Sequence, residues 1–162
     1  TRGLMGYTSR FLTLTKGTGV INRIFHGYGK FEGEMDGRKN GALISMSTGK
    51  AVAFAIFNLQ ARGEMFVTHN DPVYEGMIVG LTPKPGDMII NVMKGKQLTN
   101  MRTQGTDENV VLTPVRTMSI AEQLSMLNTD EALEITPDSC RLRKAILDPH
   151  ERKKSEKSGA AA

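Results

Sequence analysis

The sequence predicts an α+β fold dominated by antiparallel β structure, an open sheet or small barrel with peripheral helices and one long polar loop. Three observations lead there. Short apolar runs recur between Gly, Pro and Asp turns from Gly41 to Val92, the spacing of an antiparallel sheet. Apolar residues return at helical intervals near the start and again after Thr117. Sixteen of the seventeen glycines lie at or before Gly105, so strand and turn dominate early and helix late.

Leu4, Tyr7, Phe11 and Leu14 recur at intervals of three and four, and Lys16-Gly17 supplies a cationic last turn and a glycine stop. A short helix is expected there. Gly19 to Tyr28 carries Val20, Ile21, Ile24 and Phe25 and predicts a strand. Gly27 to Gly41 holds five glycines with Arg38-Lys39-Asn40 and marks the domain boundary. It reads as a solvated linker or, alternatively, as a source of phosphate contacts from Arg38 and Lys39.

Ala42 to Met46 and Lys50 to Ile56 predict strands joined by a hairpin at Ser47-Thr48-Gly49. Asn58 to Gly63 has the composition of one helical turn. Glu64 to Val67, Val73 to Gly80 and Met88 to Val92, separated by turns at Asn70-Asp71-Pro72 and Pro83 to Asp87, continue as a meander. Val110 to Val115 predicts another strand. In Thr117 to Leu127, Ser119 and Glu122 form a capping box and Ile120, Leu124 and Leu127 share a face. Ala132 to Thr136 and Ser139 to Arg143 form a hairpin about Pro137-Asp138, with Cys140 and Leu142 inward and Arg141 and Arg143 outward. Asp148-Pro149-His150-Glu151 starts a short basic helix through Lys154. Residues 155–162 are expected to form a disordered tail.

Composition narrows the function classes. Hydrophobic residues make up 39% and charged residues 23% of the 162, a globular mixture that should fold. The net charge of +4 and a pI near 9.3 favour an anionic partner such as RNA or a membrane surface. Seven Lys or Arg residues fall between Arg141 and Lys157, against three acids. The single cysteine, Cys140, allows no intramolecular disulfide and fits a reducing compartment. No secretory signal occurs, and no apolar run approaches the roughly 18 residues of a membrane span. A cytoplasmic location without a membrane partner is expected. The start, Thr1 to Gly6, lacks an initiator methionine and suggests a portion of a longer chain.

Catalytic and metal chemistry find little support. His26, His69 and His150 stand far apart in different contexts and give no metal spacing. Cys140 sits in a strand-like alternation and reads as a buried, inert thiol. No Gly-Lys-Ser or Gly-Lys-Thr phosphate loop occurs, so GTP has no such route into this chain. What remains is the run from Lys94 to Glu108, too long and too polar for an ordinary connection. Lys94, Lys96 and Arg102 can neutralise phosphates; Gln97, Asn100, Thr103 and Gln104 offer neutral donors and acceptors. Gly95 and Gly105 permit close backbone approach. From composition alone, a solvated loop and an RNA probe stand level.

Several runs carry a family likeness. Arg2 to Tyr7, Phe31-Glu32-Gly33-Glu34, Arg38 to Gly41, Asn58 to Gly63, Val73 to Gly80 and Lys94 to Asn100 together resemble the C-terminal part of the BipA/TypA translational GTPases, over roughly residues 2 to 154. The resemblance implies that residues 1–31 are the second half of a domain similar to domain V of elongation factor G, a helix plus a strand. Residues 32–154 would then be the β-rich C-terminal domain peculiar to the family. It implies a ribosome partner, with loop 94–108 reaching the A site on the large ribosomal subunit, near the acceptor end of tRNA. It further implies a role in translation under stress and in assembly of the large subunit (50S), as a monomer. Hydrolysis belongs to GTPase domains absent from this chain. No catalytic residue and no cofactor are therefore expected here, and GTP and Mg only in the missing N-terminal domain. RNA contacts are expected from Lys94, Lys96, Gln97, Asn100, Arg102, Thr103, Arg38, Lys39, Arg141, Arg143, Lys144, Arg152 and Lys153. The chain departs from the family at Phe57, where Trp is frequent, and at Thr103-Gln104, where Ala-Ser is frequent. The alternative reading is a protein-interaction module that docks on a partner domain without touching RNA.

Overall fold

The computed structural model describes Leu4 and residues 7–31, 33, 38–95 and 110–159. Helix α1 (Tyr7–Leu14) stops on two left-handed residues, Lys16 at φ 52° and Gly17 at φ 80°. The Gly17 amide donates to the Leu12 carbonyl at 2.7 Å, which closes the helix as its glycine stop implies. The strand expected over Gly19 to Tyr28 does not form. Propensity becomes a strand only against a partner, and none of the ladders among the described residues includes this run. Its apolar side chains stay in solvent, Ile24 at 92% and Tyr28 at 99% exposure. Arg23 ties the segment back to α1 through Thr8 Oγ1 (2.9 Å) and the Leu4 carbonyl (3.3 Å).

The main body opens with β1 (Ala42–Ser45), β2 (Gly49–Lys50) and α2 (Ala53–Gln60). It continues through β3 (Glu64–Met65), β4 (Pro72–Val73), β5 (Ile78–Leu81) and β6 (Met88–Ile90). Strands β3-β5-β1-β6 form one sheet in that order, and β2 pairs with β4 in a second. β1 is antiparallel to β5 and parallel to β6. The simple meander and the hairpin at Ser47 to Gly49 are therefore corrected: β1 and β2 go to different sheets. β1 and β5 are buried at every position, as strands covered on both faces must be, and such strands show no polar alternation to reveal their neighbours. Gly80 in β5 lets the Glu64 backbone come closer than a Cβ would permit.

The strand expected over Lys50 to Ile56 is mostly α2. This helix buries Ala55, Ile56 and Leu59 against a core that includes Leu43, Met65, Val67, Val79 and Val92. Its start has no side-chain cap from Val52; instead the Ala53 amide donates to His69 Nδ1 at 3.2 Å. An orphan helix-terminal donor is thus satisfied from a turn sixteen residues away.

The last third adds α3 (Ile120–Ser125), β7 (Glu131–Ile135), β8 (Cys140–Lys144) and α4 (Pro149–Gly159). The Ser119–Glu122 capping box forms in both directions. Yet α3 buries none of its residues, and Ile120 and Leu124 are about half exposed. The β7–β8 hairpin forms where expected, with Glu134 opposite Arg141, but Cys140, expected to be buried, is only half-buried at the start of β8. It joins the main sheet through a Met77–Arg143 bridge and the Lys144 amide, which donates to the Gly76 carbonyl at 2.9 Å. Leu142 seals a second core with Ala42, Ile44 and Ile78. Residues 110–115 form no strand; Leu112 packs on the main core instead, and Gln60 Nε2 donates to the Thr113 carbonyl at 3.3 Å. α4 runs past Lys154 to Gly159, five residues into the segment expected to be a disordered tail. Among the described residues the sheets do not close into a barrel.

Candidate nucleic-acid interface

The loop expected to probe RNA leaves the body at Lys94. Immediately before it, Val92 is fully buried in the main core and its carbonyl accepts from the Val52 amide at 2.9 Å. Leu112 returns the chain to that same core. Both stems are thus fixed to one packed body, which limits where the intervening loop can reach. Lys94 and Gly95 are exposed, and a Cβ on Gly95 would meet nothing within 4 Å. Packing gives no reason for a glycine there. Lys96, Gln97, Asn100, Arg102 and Thr103 lie outside the described residues.

The remaining cations divide sharply. Arg38 and Lys144, both expected at the surface, point inward. Lys144 lies on β8 with its side chain 2% exposed; its Nζ reaches Asp130 at 2.6 Å, Glu131 at 3.1 Å and also Asp87. Glu131, wholly buried, takes the Arg38 guanidinium in two parallel bonds, of 2.7 and 3.2 Å. Arg38 also donates to the carbonyls of Asn40 (2.6 Å) and Met126 (3.1 Å). Burial works against the charged form of Lys144, but Asp130, Asp87 and Glu131 outweigh it and hold the ammonium above its ordinary pKa. Burial likewise disfavours Asp87 as an anion; the Ala42 amide and Lys144 more than compensate, and its pKa is lowered. These two cations are structural and leave no guanidinium or ammonium face for a phosphate. The strand runs one residue further than expected, to Lys144, which puts that residue on the Leu142 face; its charge alone suggested the surface.

Arg141 and Arg143 do face outward, about 30% exposed. Glu134 sits between them, 4.0 Å from Arg141 and 3.8 Å from Arg143, and accepts a 2.6 Å bond from the Tyr74 hydroxyl. Burial first, then the Glu134 carboxylate, pushes Tyr74 up to about 12. Two guanidinia share one partly engaged carboxylate, so this face keeps a net positive charge.

Helix α4 begins on the predicted cap: Asp148 Oδ1 accepts from the amides of His150 (2.6 Å) and Glu151 (3.2 Å), and both bonds lower the Asp148 pKa. Arg152 turns back to the Ile146 carbonyl at 2.9 Å and to that of Leu147, so it anchors the helix more than it serves a ligand. On the opposite face His150, Lys153, Lys154 and Lys157, spaced by three and four, are all exposed. Lys39 is exposed too. Of the predicted contact residues that are described, Lys39, Lys94, Arg141, Arg143 and Lys153 stay available, with Lys154 and Lys157 beside Lys153 on α4. That arrangement can neutralise a polyanion backbone, and it contains no nucleophile paired with a base.

The family model for the TypA/BipA C-terminal domain matches residues 40–149. The chain belongs to the TypA/BipA C-terminal domain family. It is similar to BipA of Buchnera aphidicola, described as an assembly factor of the large ribosomal subunit, 49% identical over 95% of this chain. It also resembles the proteins of the same description from Salmonella typhimurium, 46% identical over 95%, and from Escherichia coli strain K12, 45% identical over 97%. The chain spans about a quarter of the length of these relatives, 26% in each case. Within the TypA/BipA match lie the main body, the β7–β8 hairpin and the buried Lys144 cluster except for Arg38; α1 and nearly all of α4 fall outside it.

Proposed function

We propose that this chain is the ribosome-binding, RNA-contacting C-terminal portion of a translational GTPase that acts in translation under stress and in assembly of the large ribosomal subunit. The observation that carries the reading is the loop rooted at the exposed Lys94 and held at both ends by one core. The relatives are described as factors for assembly of the large ribosomal subunit, which directs the polyanion reading to ribosomal RNA. In this reading Lys94, Lys96 and Arg102 bind phosphates, while Gln97, Asn100 and Thr103 contact sugars or base edges near the A site and the acceptor end of tRNA. Lys39, Arg141, Arg143 and Lys153 steer and hold the body. The chain works in the cytoplasm as a monomer, with no catalytic residue of its own; GTP and Mg belong to the GTPase domain of the longer protein.

Binding of this chain to 50S particles should weaken steeply with salt, with a log-log slope of about 0.7 to 0.9 per phosphate neutralised. Replacing Lys94, Lys96 and Arg102 together by Ala should lower both affinity and slope while circular dichroism stays native. An unchanged slope would refute the loop's role.

A second reading, a protein-docking module, is favoured by one observation: Val20, Ile24, Phe25, Tyr28 and Phe31 are all more than 70% exposed, an apolar run suited to a protein face. Capture of a partner that resists both nuclease and high salt would support it over the RNA reading.

A further inference from the structure

A cleft of about 220 Å³ opens between residues 115–118, the start of α3 and the first residues of β8. Phe66, Ile78, Met118 and Leu142 supply apolar walls, and Arg116 and Arg141 lie along its lining. Gln123 of α3 lines it as well. The Gln123 Nε2 donates to the Met118 carbonyl at 3.3 Å, which fixes the orientation of the amide: a flip would set oxygen against oxygen. Its Oε1 is then buried with no hydrogen-bond partner, the one such side-chain atom among the described residues. A buried acceptor without a donor is costly, and a ligand that brings an N–H recovers that cost.

Arg116 is held loosely. It approaches Glu64 at 3.4 Å and Glu122 at 3.8 Å. It can turn to an incoming anion for little loss, because partly exposed pairs of this length contribute little. A missing N–H donor, apolar walls with an aromatic ring and methionine sulfur, and a loosely held guanidinium define one ligand chemistry. It is a planar heterocycle with an amino group, joined to a phosphate. Residues 115–118 begin three positions after Leu112, which packs on the main core.

We infer that this cleft takes an unstacked, amino-bearing nucleobase, with Gln123 Oε1 accepting from its amino group and Arg116 meeting its phosphate. The assignment of the source to RNA rests on the function proposed above; the cleft chemistry does not. Phe66 and Met118 supply the stacking surface that single-stranded RNA readers obtain from aromatic and polarisable side chains.

The test uses the full chain with methyl-labelled methionine, because Met77 and Met118 both line the cleft and Met46 does not. Adenosine monophosphate and an eight-nucleotide oligoadenylate are titrated separately. The expected result is movement of the Met77 and Met118 methyl signals with Met46 unchanged, and about three- to tenfold weaker binding in Gln123→Met, whose amide is gone but whose length is kept. Arg116→Gln is the second variant, placed at a half-exposed residue where the fold is not at risk; it should weaken the nucleotide and leave free adenosine unaffected. Shifts with the mononucleotide but not the oligomer support the cleft and assign it a free nucleotide, with the RNA reading failing on its own. Oligomer binding that leaves Met77 and Met118 unmoved keeps the RNA reading and overturns this inference. Equal affinity in a natively folded Gln123→Met also overturns it, as do shifts produced by an acidic asparagine-containing peptide and by neither nucleotide ligand.

Discussion

The knot around Lys144 and the outer face of α4 are both rich in positive charge, and they do opposite things with it. In the knot two cations face three carboxylates, and Glu131 and Lys144 are almost fully desolvated. On α4 the ammonium groups of Lys153, Lys154 and Lys157 stand in water. The knot brings together residues 38, 87, 130, 131 and 144, hence the start of the main body, the turn before β6 and the β7–β8 hairpin. Among the described residues the α4 lysines make no ion pair. Charge that is matched and dry fixes geometry, whereas charge that is unmatched and wet is available to a polyanion.

The largest effect should come from breaking the knot. Lys144→Met removes the cation that Asp87, Asp130 and Glu131 share, leaving Glu131 to Arg38 and the Asn128 amide and Asp87 to the Ala42 amide, and a buried pair broken on one side typically costs about 3–5 kcal/mol. Urea unfolding should show that loss as a lower midpoint. An unaltered midpoint would mean that water already enters the cluster. A gentler break uses pH. Asp87 has a lowered pKa, so its contribution is present above its unfolded pKa and is lost as pH falls through the folded value. Lys144 has a raised pKa, so its contribution is present below its unfolded value and is lost as pH rises through the folded one. Tyr74, pushed up to about 12, favours the folded state as a neutral phenol, and this advantage also fades between its unfolded pKa and about 12. Thermal melts should therefore decline both in acid and above roughly pH 10. Tyr74→Phe should remove the latest phenol step from an ultraviolet titration, whereas a variant on α4 should leave it in place.

Between knot and surface lies the cap of α3. Ser119→Ala deletes the acceptor for the Glu122 amide and should lower stability by about 1 kcal/mol. Because α3 buries none of its residues, the loss should show as local amide exchange over Ile120 to Ser125 before global unfolding responds.

How much of this was legible follows from where each determinant sits. The α3 cap, the β7–β8 hairpin, the Gly17 stop and the Asp148 cap are each encoded within a few adjacent residues, and all form as expected. α2 was not legible as a helix. Its run Ala53 to Gln60 is apolar on nearly every face, which erases the period, and the group that satisfies its first amide is His69. The sheet order β3-β5-β1-β6 was equally hidden, because strands buried on both faces carry no alternation. Among the site residues, Arg38 and Lys39 are neighbours in sequence, yet the first is 8% exposed at its side chain and the second open to solvent. Only the position of Glu131, 93 residues away, decides which one is spent. The signal for Lys144 was local: it shares a strand face with Leu142, and a charge on an inward face announces a buried partner.

The smallest effect on stability, and the sharpest contrast with the knot, is expected from Lys153→Ala, Lys154→Ala and Lys157→Ala combined. All three side chains are exposed on α4, and surface changes of this kind move stability by about 0.5 kcal/mol or less. If the outer face binds RNA, the triple variant should keep its urea midpoint while the salt slope of 50S binding falls by about 0.7 to 0.9 for each phosphate no longer neutralised. The same experiment on Lys144→Met, at a urea concentration where that variant is still folded, should leave the slope untouched, since Lys144 meets no solvent phosphate. A slope that changes in the Lys144 variant and not in the triple variant would reverse the assignment of the two regions. A slope unchanged in both would remove α4 from the electrostatic contact and leave it to Lys39, Arg141, Arg143, Lys94 and the loop beyond it.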